Sequence, residues 1–119
     1  MMDNEAKLRL LVAGVNVDSA MARFLNNAAL MEKFLRRFPS DPNYGLLCQA
    51  MAQGDTDAAF TAAHTLKGVA GNLSLDRLFA ATSTVVESLR GKDLAMAEQQ
   101  MPPLHQAYRE VIEALAAWQ

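Results

Sequence analysis

The chain has few of the residues from which β-sheets, disulfide frameworks and aromatic cores are built. Of its 119 residues only 7% are aromatic, and cysteine, tryptophan and isoleucine each occur once. Strands draw on β-branched and aromatic residues, so a β-rich fold is disfavoured. The single cysteine, Cys48, cannot form a disulfide within the chain, which suits a reducing cytoplasm.

A strong charge, a long apolar run and a targeting signal are also missing. The net charge of −2 leaves no excess of cations to release counterions from a nucleic acid. No run of about 18 apolar residues could span a membrane, and the N-terminus lacks the basic-then-apolar layout of a signal peptide. We therefore expect one soluble, mostly helical, cytoplasmic domain over residues 1–119, with neither nucleic acid nor membrane as a partner.

Capping residues and helix breakers divide the chain into helical segments. We predict helices over 18–25, 28–38, 42–53, 56–73, 75–90 and 94–117. The predicted N-caps are Asp18, Asn27, Asp41, Asp55, Ser74 and Asp93. Gly54 and Gly91 should each end a helix. Pro102 and Pro103 should kink or split the last helix near Met101.

The short connections between these segments favour antiparallel neighbours. We expect an all-α protein, an up-and-down four-helix bundle with additional short N-terminal helices. Its four core helices would be 28–53, 56–73, 75–90 and 94–117, with the first interrupted at 39–42. Residues 1–16 are expected to form a loosely packed N-terminal segment, helical up to about Ala13.

Segment 56–73, with the sequence TDAAFTAAHTLKGVAGNL, has the most informative pattern. On a helical wheel at about 100° per residue with His64 at zero, one side is a continuous apolar stripe. The stripe consists of Ala59, Ala62, Leu66, Val69, Ala70 and Leu73. The opposite side has Lys67 at about −60°, Gly68 at about +40° and Gly71 at about −20°. We expect the bundle to bury the stripe, so that His64 faces water.

The residues beside His64 fit a nucleophile that another molecule must reach. A glycine inside a helix costs ~1 kcal/mol relative to alanine, so two on one face call for an explanation. Their missing side chains leave a bare strip on which a partner's backbone or a bulky anion could approach the ring. Imidazole is a nucleophile that is largely neutral near pH 7. Lys67 would place a cation near a phosphoryl group on that ring.

Each of these residues also has a plain structural explanation. A lone helical histidine is usually structural, Lys67 alone would be a solvated lysine, and a glycine can serve helix packing or mark a fraying end. Their coincidence on one predicted exposed face favours function. Phe60, at about −40° on the same wheel, either anchors a partner or packs against a neighbouring helix. His105 has no glycine or lysine arranged around it and is a poor candidate.

The stretch AHTLKGVAGNL at 63–73 resembles the signature of histidine-containing phosphotransfer (HPt) domains. In that signature a lysine and a glycine follow the histidine by three and four residues, with small residues before a turn. The resemblance extends more loosely from about Val17 to Leu115. One departure is Ser74, where the family often has glycine; we interpret it as a tolerated change that caps the next helix.

The resemblance implies a role in a two-component phosphorelay. His64 would accept a phosphoryl group from a receiver-domain aspartate and pass it to another receiver. Lys67 would steady the phosphohistidine, while Gly68 and Gly71 would keep its surroundings open for docking. The implied partners are response-regulator receiver domains and a hybrid sensor histidine kinase. We expect a monomeric phosphoryl carrier without kinase activity of its own, cofactor or bound metal.

Two other functions remain compatible with the sequence. A non-catalytic helical module of the same fold could dock a receiver or kinase domain and tether or inhibit it. Alternatively, the chain could be a structural helical bundle in which the matching residues are coincidental. A docking module would bind receivers without acquiring phosphate on His64, which separates it from the phosphorelay role. A structural bundle would not bind receivers at all.

Overall fold

The computed structural model describes residues 2–118, which form α-helices joined by short turns. The helices are α1 (Asn4–Val12), α2 (Val17–Arg23), α3 (Ala28–Arg37), α4 (Asn43–Gln53), α5 (Thr56–Asn72), α6 (Asp76–Arg90) and α7 (Leu94–Ala117), with a short 3-10 helix at Phe38–Ser40. Within the described residues there is no strand, only an isolated bridge between Val15 and Leu75. No helix among residues 2–118 is long and apolar enough to cross a membrane.

Helices α4 to α7 form the predicted up-and-down four-helix bundle. Each packs against the next one in the chain, and each contributes fully buried side chains such as Leu47, Leu66, Val85 and Leu104. The first bundle helix is shorter than the predicted 28–53, because the chain breaks at the 3-10 helix, and α3 packs on α2 and on that 3-10 helix. At Gly54 the chain turns from α4 into α5 with φ +69°, a conformation that glycine adopts without strain.

The predicted helix starts are confirmed where a carboxylate or amide can reach its own helix. Asn27, Asp55 and Asp93 accept hydrogen bonds from backbone N–H groups three residues ahead, at 3.0–3.1 Å. The predicted cap Asp41 is one residue too early, since Pro42 occupies the cap position of α4. Asp41 Oδ1 instead accepts a hydrogen bond from the Asn43 backbone N–H at 2.9 Å. The prediction for Asp18 is wrong, since Asn16 caps α2 by accepting from Ser19 N–H at 3.0 Å.

Ser74 does not cap α6 as predicted. Its backbone is left-handed, with φ +54°, and the residue is buried in the turn between α5 and α6. The hydroxyl donates to Ser19 Oγ at 2.9 Å and accepts from Arg23 Nε at 3.1 Å. Since these bonds run to α2, the side chain cannot also reach the first N–H groups of α6, and Leu75 occupies the cap position without a side-chain bond.

A kink or a split was predicted near Met101; helix α7 is continuous through Pro102 and Pro103, so the split does not occur. Both prolines are exposed, whereas Met101 and Leu104 on either side of them are buried. The backbone carbonyls that lose a partner to these prolines can therefore be hydrated. The buried side chains of Met101 and Leu104 keep the helix packed on the bundle where the prolines interrupt its hydrogen bonds.

The described part of the N-terminal segment, residues 2–16, packs on the bundle, whereas 1–16 was expected to be loosely packed. Leu10 is fully buried where α1 packs on α7, and Val15 pairs with Leu75. Gly14, with φ +88°, brings the following turn so close to α6 that a Cβ would lie 2.6 Å from Arg77 Cβ. The sequence pattern of α1 did not indicate that its apolar side packs against the bundle.

Candidate functional site

Helix α5 is placed by its cap and by its apolar stripe. Asp55 starts the helix, and the stripe packs into the core with Ala59, Ala62, Leu66, Ala70 and Leu73 buried and Val69 half-buried. The predicted orientation is therefore confirmed, and His64 on the opposite side is exposed. In the described part of the chain, no other group hydrogen-bonds to its imidazole, so neither ring nitrogen is engaged by the protein.

The ring of Phe60 lies beside that of His64, one helical turn earlier. The two ring centroids are 5.7 Å apart and the planes are inclined by 30°. The Phe60 ring also contacts the guanidinium of Arg90, whose Cζ is 5.1 Å from the ring centroid. Phe60 is half-buried, so it packs against α6 and still presents part of its ring next to the imidazole.

Lys67 lies one turn after His64 and is half-buried. Its Nζ is 5.7 Å from the centroid of the Phe79 ring on α6, within the range of a cation–π interaction. No carboxylate in the described chain forms an ion pair with it. Side chains three residues apart on a helix start about 5–6 Å from each other. The ammonium group is therefore an uncompensated cation within reach of a group bound to His64.

The two glycines of this face differ in their surroundings. A Cβ placed on Gly68 would meet no atom within 4 Å, so the surface beside His64 is open there, as predicted. A Cβ on Gly71 would lie 3.2 Å from Cδ1 and Cε1 of Phe79. Gly71 is therefore less open than Gly68, because the Phe79 ring lies beside it. Its predicted role in access for a partner stays a prediction.

Two residues of this surface were missed by the sequence reasoning, and both lie on α6. Arg90 reaches Phe60, and Phe79 contacts Lys67 and Gly71. A wheel drawn for one helix cannot include side chains that a neighbouring helix supplies. Antiparallel packing of α5 and α6 offered the only signal, since it places the end of α6 beside the start of α5.

His105 lies apart from this surface, as its sequence context indicated. Its Nδ1 is 2.6 Å from the Tyr44 hydroxyl, which links α7 to α4. The ring also meets that of Tyr44 edge-on, with centroids 5.7 Å apart. A half-buried imidazole with one nitrogen already hydrogen-bonded is less available as a nucleophile than the exposed ring of His64.

The comparison with known families agrees with this geometry. The family model of the Hpt domain matches residues 29–118, which include α3 except for its first residue and the whole four-helix bundle. The chain belongs to the Hpt domain family. No curated protein and no solved structure matches the chain. As an Hpt domain, it is a phosphotransfer module of two-component signalling, and the exposed face of α5 is the candidate surface for that chemistry.

Proposed function

We propose that His64 of this Hpt domain is the phosphoryl-accepting residue. It would receive a phosphoryl group from the aspartyl phosphate of one receiver domain and pass it to the aspartate of another. The observation that carries the proposal is the exposure of His64 on α5, with Lys67 one turn away and an open surface at Gly68. These three residues match the spacing of the family signature.

The transfer needs few groups from the Hpt domain itself. An imidazole nitrogen of His64 attacks phosphorus, the new N–P bond forms as the O–P bond to the receiver aspartate breaks, and the aspartate leaves as a carboxylate. The proton on the other ring nitrogen can pass to water. In the second step a carboxylate of the next receiver attacks, the N–P bond breaks, and the ring takes a proton back from water, which restores the neutral imidazole. Charge on the transferring group lies mainly on its equatorial oxygens.

Lys67 is the residue placed to stabilise those oxygens. Its ammonium group has no carboxylate partner in the described chain, so its charge is available to a phosphoryl group on His64. Interactions between ionised donors and phosphate oxygens are about twice as strong as those between neutral groups. Gly68 allows a receiver domain to approach the ring closely, because no side chain projects beside it.

The direct test is transfer from a phosphorylated receiver domain. We expect wild-type protein to acquire an acid-labile, alkali-stable phosphate, and we expect His64→Gln to abolish it. His105→Gln is the matched control and should retain labelling, since that ring belongs to a separate contact with Tyr44. Label that persists in His64→Gln would place the site elsewhere. If the protein binds several phosphorylated receiver domains but never acquires their phosphoryl group, a non-catalytic docking module is favoured instead.

The proposal extends to the partners and setting of the domain. Receiver domains and a hybrid sensor histidine kinase are the proposed partners, since a phosphohistidine relay needs a donor and an acceptor aspartate. The whole of 1–119 would act as one monomeric carrier without kinase activity. A single cysteine, half-buried on α4, is compatible with a cytoplasmic location.

A further inference from the structure

The ring of Phe79 contacts α5 at two places. The ring centroid lies 5.7 Å from Lys67 Nζ, and Cδ1 and Cε1 at the ring edge lie 3.2 Å from the position that a Cβ of residue 71 would take. Phe79 itself is 38% exposed, so it is not a core residue whose position is dictated by complete burial. A large aromatic ring on the surface of α6 thus lies directly against the face of α5 that carries His64.

A lysine side chain needs such a contact if its charge is to stay in one place. Four flexible side-chain bonds allow an unrestrained ammonium group to sample many positions in solvent. The negative face of an aromatic ring attracts a cation at this distance. Because Lys67 has no ion pair in the described part of the chain, the Phe79 ring is the contact that limits where its ammonium group lies.

We infer that Phe79 is a positioning residue for Lys67, and that residue 71 is glycine to admit the Phe79 ring. The ring holds the ammonium group on the side of α5 from which it can meet a phosphoryl group on His64. This inference rests on the proposed function of His64 and Lys67. It assigns Gly71 a role in the packing between α5 and α6 rather than in access for a partner.

Gly71→Ala and Phe79→Leu test the two halves of the inference. Leucine keeps an apolar side chain on α6 but removes the aromatic face. Alanine at position 71 would bring a methyl group to 3.2 Å from the ring edge, so the ring has to shift by a few tenths of an ångström. Phe34→Leu is the matched control, since Phe34 is similarly exposed on α3 and stacks on Phe24 instead.

The first measurement needs no phosphorylation. In the NMR spectrum of the wild-type protein, the Lys67 ε-methylene protons should be shifted upfield by the Phe79 ring current. That shift should vanish in Phe79→Leu, diminish in Gly71→Ala and persist in Phe34→Leu. Its absence from the wild-type spectrum would overturn the inference, whatever His64 does.

The second measurement is the rate of phosphoryl transfer to and from His64. A cation–π contact at an exposed site corresponds to a loss of about two- to fivefold on Phe79→Leu. The same substitution in a Lys67→Gln background should have no further effect, because the cation that the ring positions is then gone. An equal loss in both backgrounds, or wild-type rates in Phe79→Leu, would overturn the positioning role.

The two measurements separate the inference from the proposed function. If His64 never carries phosphate, the proposed function fails, and the positioning role in transfer fails with it even where the ring-current shift is seen. Suppose instead that His64 is phosphorylated, but the ring-current shift is absent or Phe79→Leu slows transfer equally with and without Lys67→Gln. In that case only the inference about Phe79 fails.

Discussion

The Ser74 hydroxyl donates a hydrogen bond to the Ser19 hydroxyl, with 2.9 Å between the two oxygens. It also accepts one from Arg23 Nε at 3.1 Å. These two hydrogen bonds connect the turn after α5 to α2. The backbone of Ser74 is left-handed, with φ +54°, a conformation that costs a non-glycine residue about 1–2 kcal/mol. The position therefore combines a strained backbone with a favourable side chain.

Ser74→Ala should lower the free energy of unfolding by about 1–3 kcal/mol. It removes two hydrogen bonds, each contributing a net 0.5–1.5 kcal/mol or so, and keeps the backbone strain. Ser74→Gly loses the same bonds but relieves the strain, so it should be the milder substitution. Urea unfolding of both variants measures the difference. A fully stable Ser74→Ala, or a Ser74→Gly that is the less stable of the two, would contradict this explanation.

Gly68→Ala should stabilise the protein and slow its reaction. The new Cβ meets nothing within 4 Å, so the helix gains up to about 1 kcal/mol from the better propensity of alanine. The same methyl group projects beside His64 and should slow transfer from a receiver domain. Thermal unfolding measures the first effect, and the rate of phosphate transfer measures the second.

Gly45→Ala is the matched control for that experiment. Gly45 lies in α4, and a Cβ there likewise meets nothing within 4 Å. We expect a gain in stability of the same sign with no change in transfer rate. If Gly45→Ala slows transfer as much as Gly68→Ala does, the loss comes from altered helix stability and not from a blocked surface.

Stability should fall at high pH because of a tyrosine pair between α4 and α7. The rings of Tyr44 and Tyr108 stack with centroids 3.7 Å apart. Burial, with a smaller effect of the Cys48 thiol, raises the pKa of Tyr44 from 10.0 to about 12, and burial also raises the pKa of Tyr108. Below the ordinary tyrosine pKa both residues are neutral in the folded and unfolded states. Their full contribution to the free energy of unfolding is therefore present at those pH values.

Between pH 10 and about 12 the unfolded chain releases the Tyr44 proton before the folded protein does, so the stability conferred by the neutral form is lost as pH rises. Tyr44→Phe keeps the ring and removes the ionisable hydroxyl, and should make this decline shallower. Urea unfolding at several alkaline pH values, with tyrosinate absorbance as a check on ionisation, measures it. A decline of unchanged slope in Tyr44→Phe would contradict the assignment to this residue.

Local signals in the sequence were sufficient for the bundle and for the face that carries His64. The caps at Asn27, Asp55 and Asp93 each act within one turn of their own helix, so they depend on nothing distant. The apolar stripe of α5 is a property of that helix alone. It determines which side is buried and, by exclusion, that His64 faces solvent.

Contacts made between distant parts of the chain could not be predicted in this way. Ser74 has good capping chemistry but bonds to Ser19, 55 residues earlier in the chain. Phe79 limits the space at Gly71 because antiparallel packing brings α6 against α5. In both cases the residue type was informative, but its partner depends on how the helices pack.

The attachment of α1 gives a further prediction about stability. Leu10 is fully buried, whereas Leu8 on the same helix is 60% exposed. Leu10→Ala should lower the free energy of unfolding by about 2–5 kcal/mol, and Leu8→Ala should change it by less than about 0.5 kcal/mol. Equal and small effects in urea unfolding would show that α1 is not part of the packed core.

The nitrogen-to-phosphorus bond itself is the most direct test of the account. Nitrogen-15 and phosphorus-31 NMR of protein charged by a phosphorylated receiver domain identifies the imidazole that carries the phosphate. We predict phosphorus coupling to a ring nitrogen of His64, with the His105 resonances unchanged. Coupling to His105, or phosphate on a side chain other than histidine, would contradict the assignment of this surface as the phosphotransfer site.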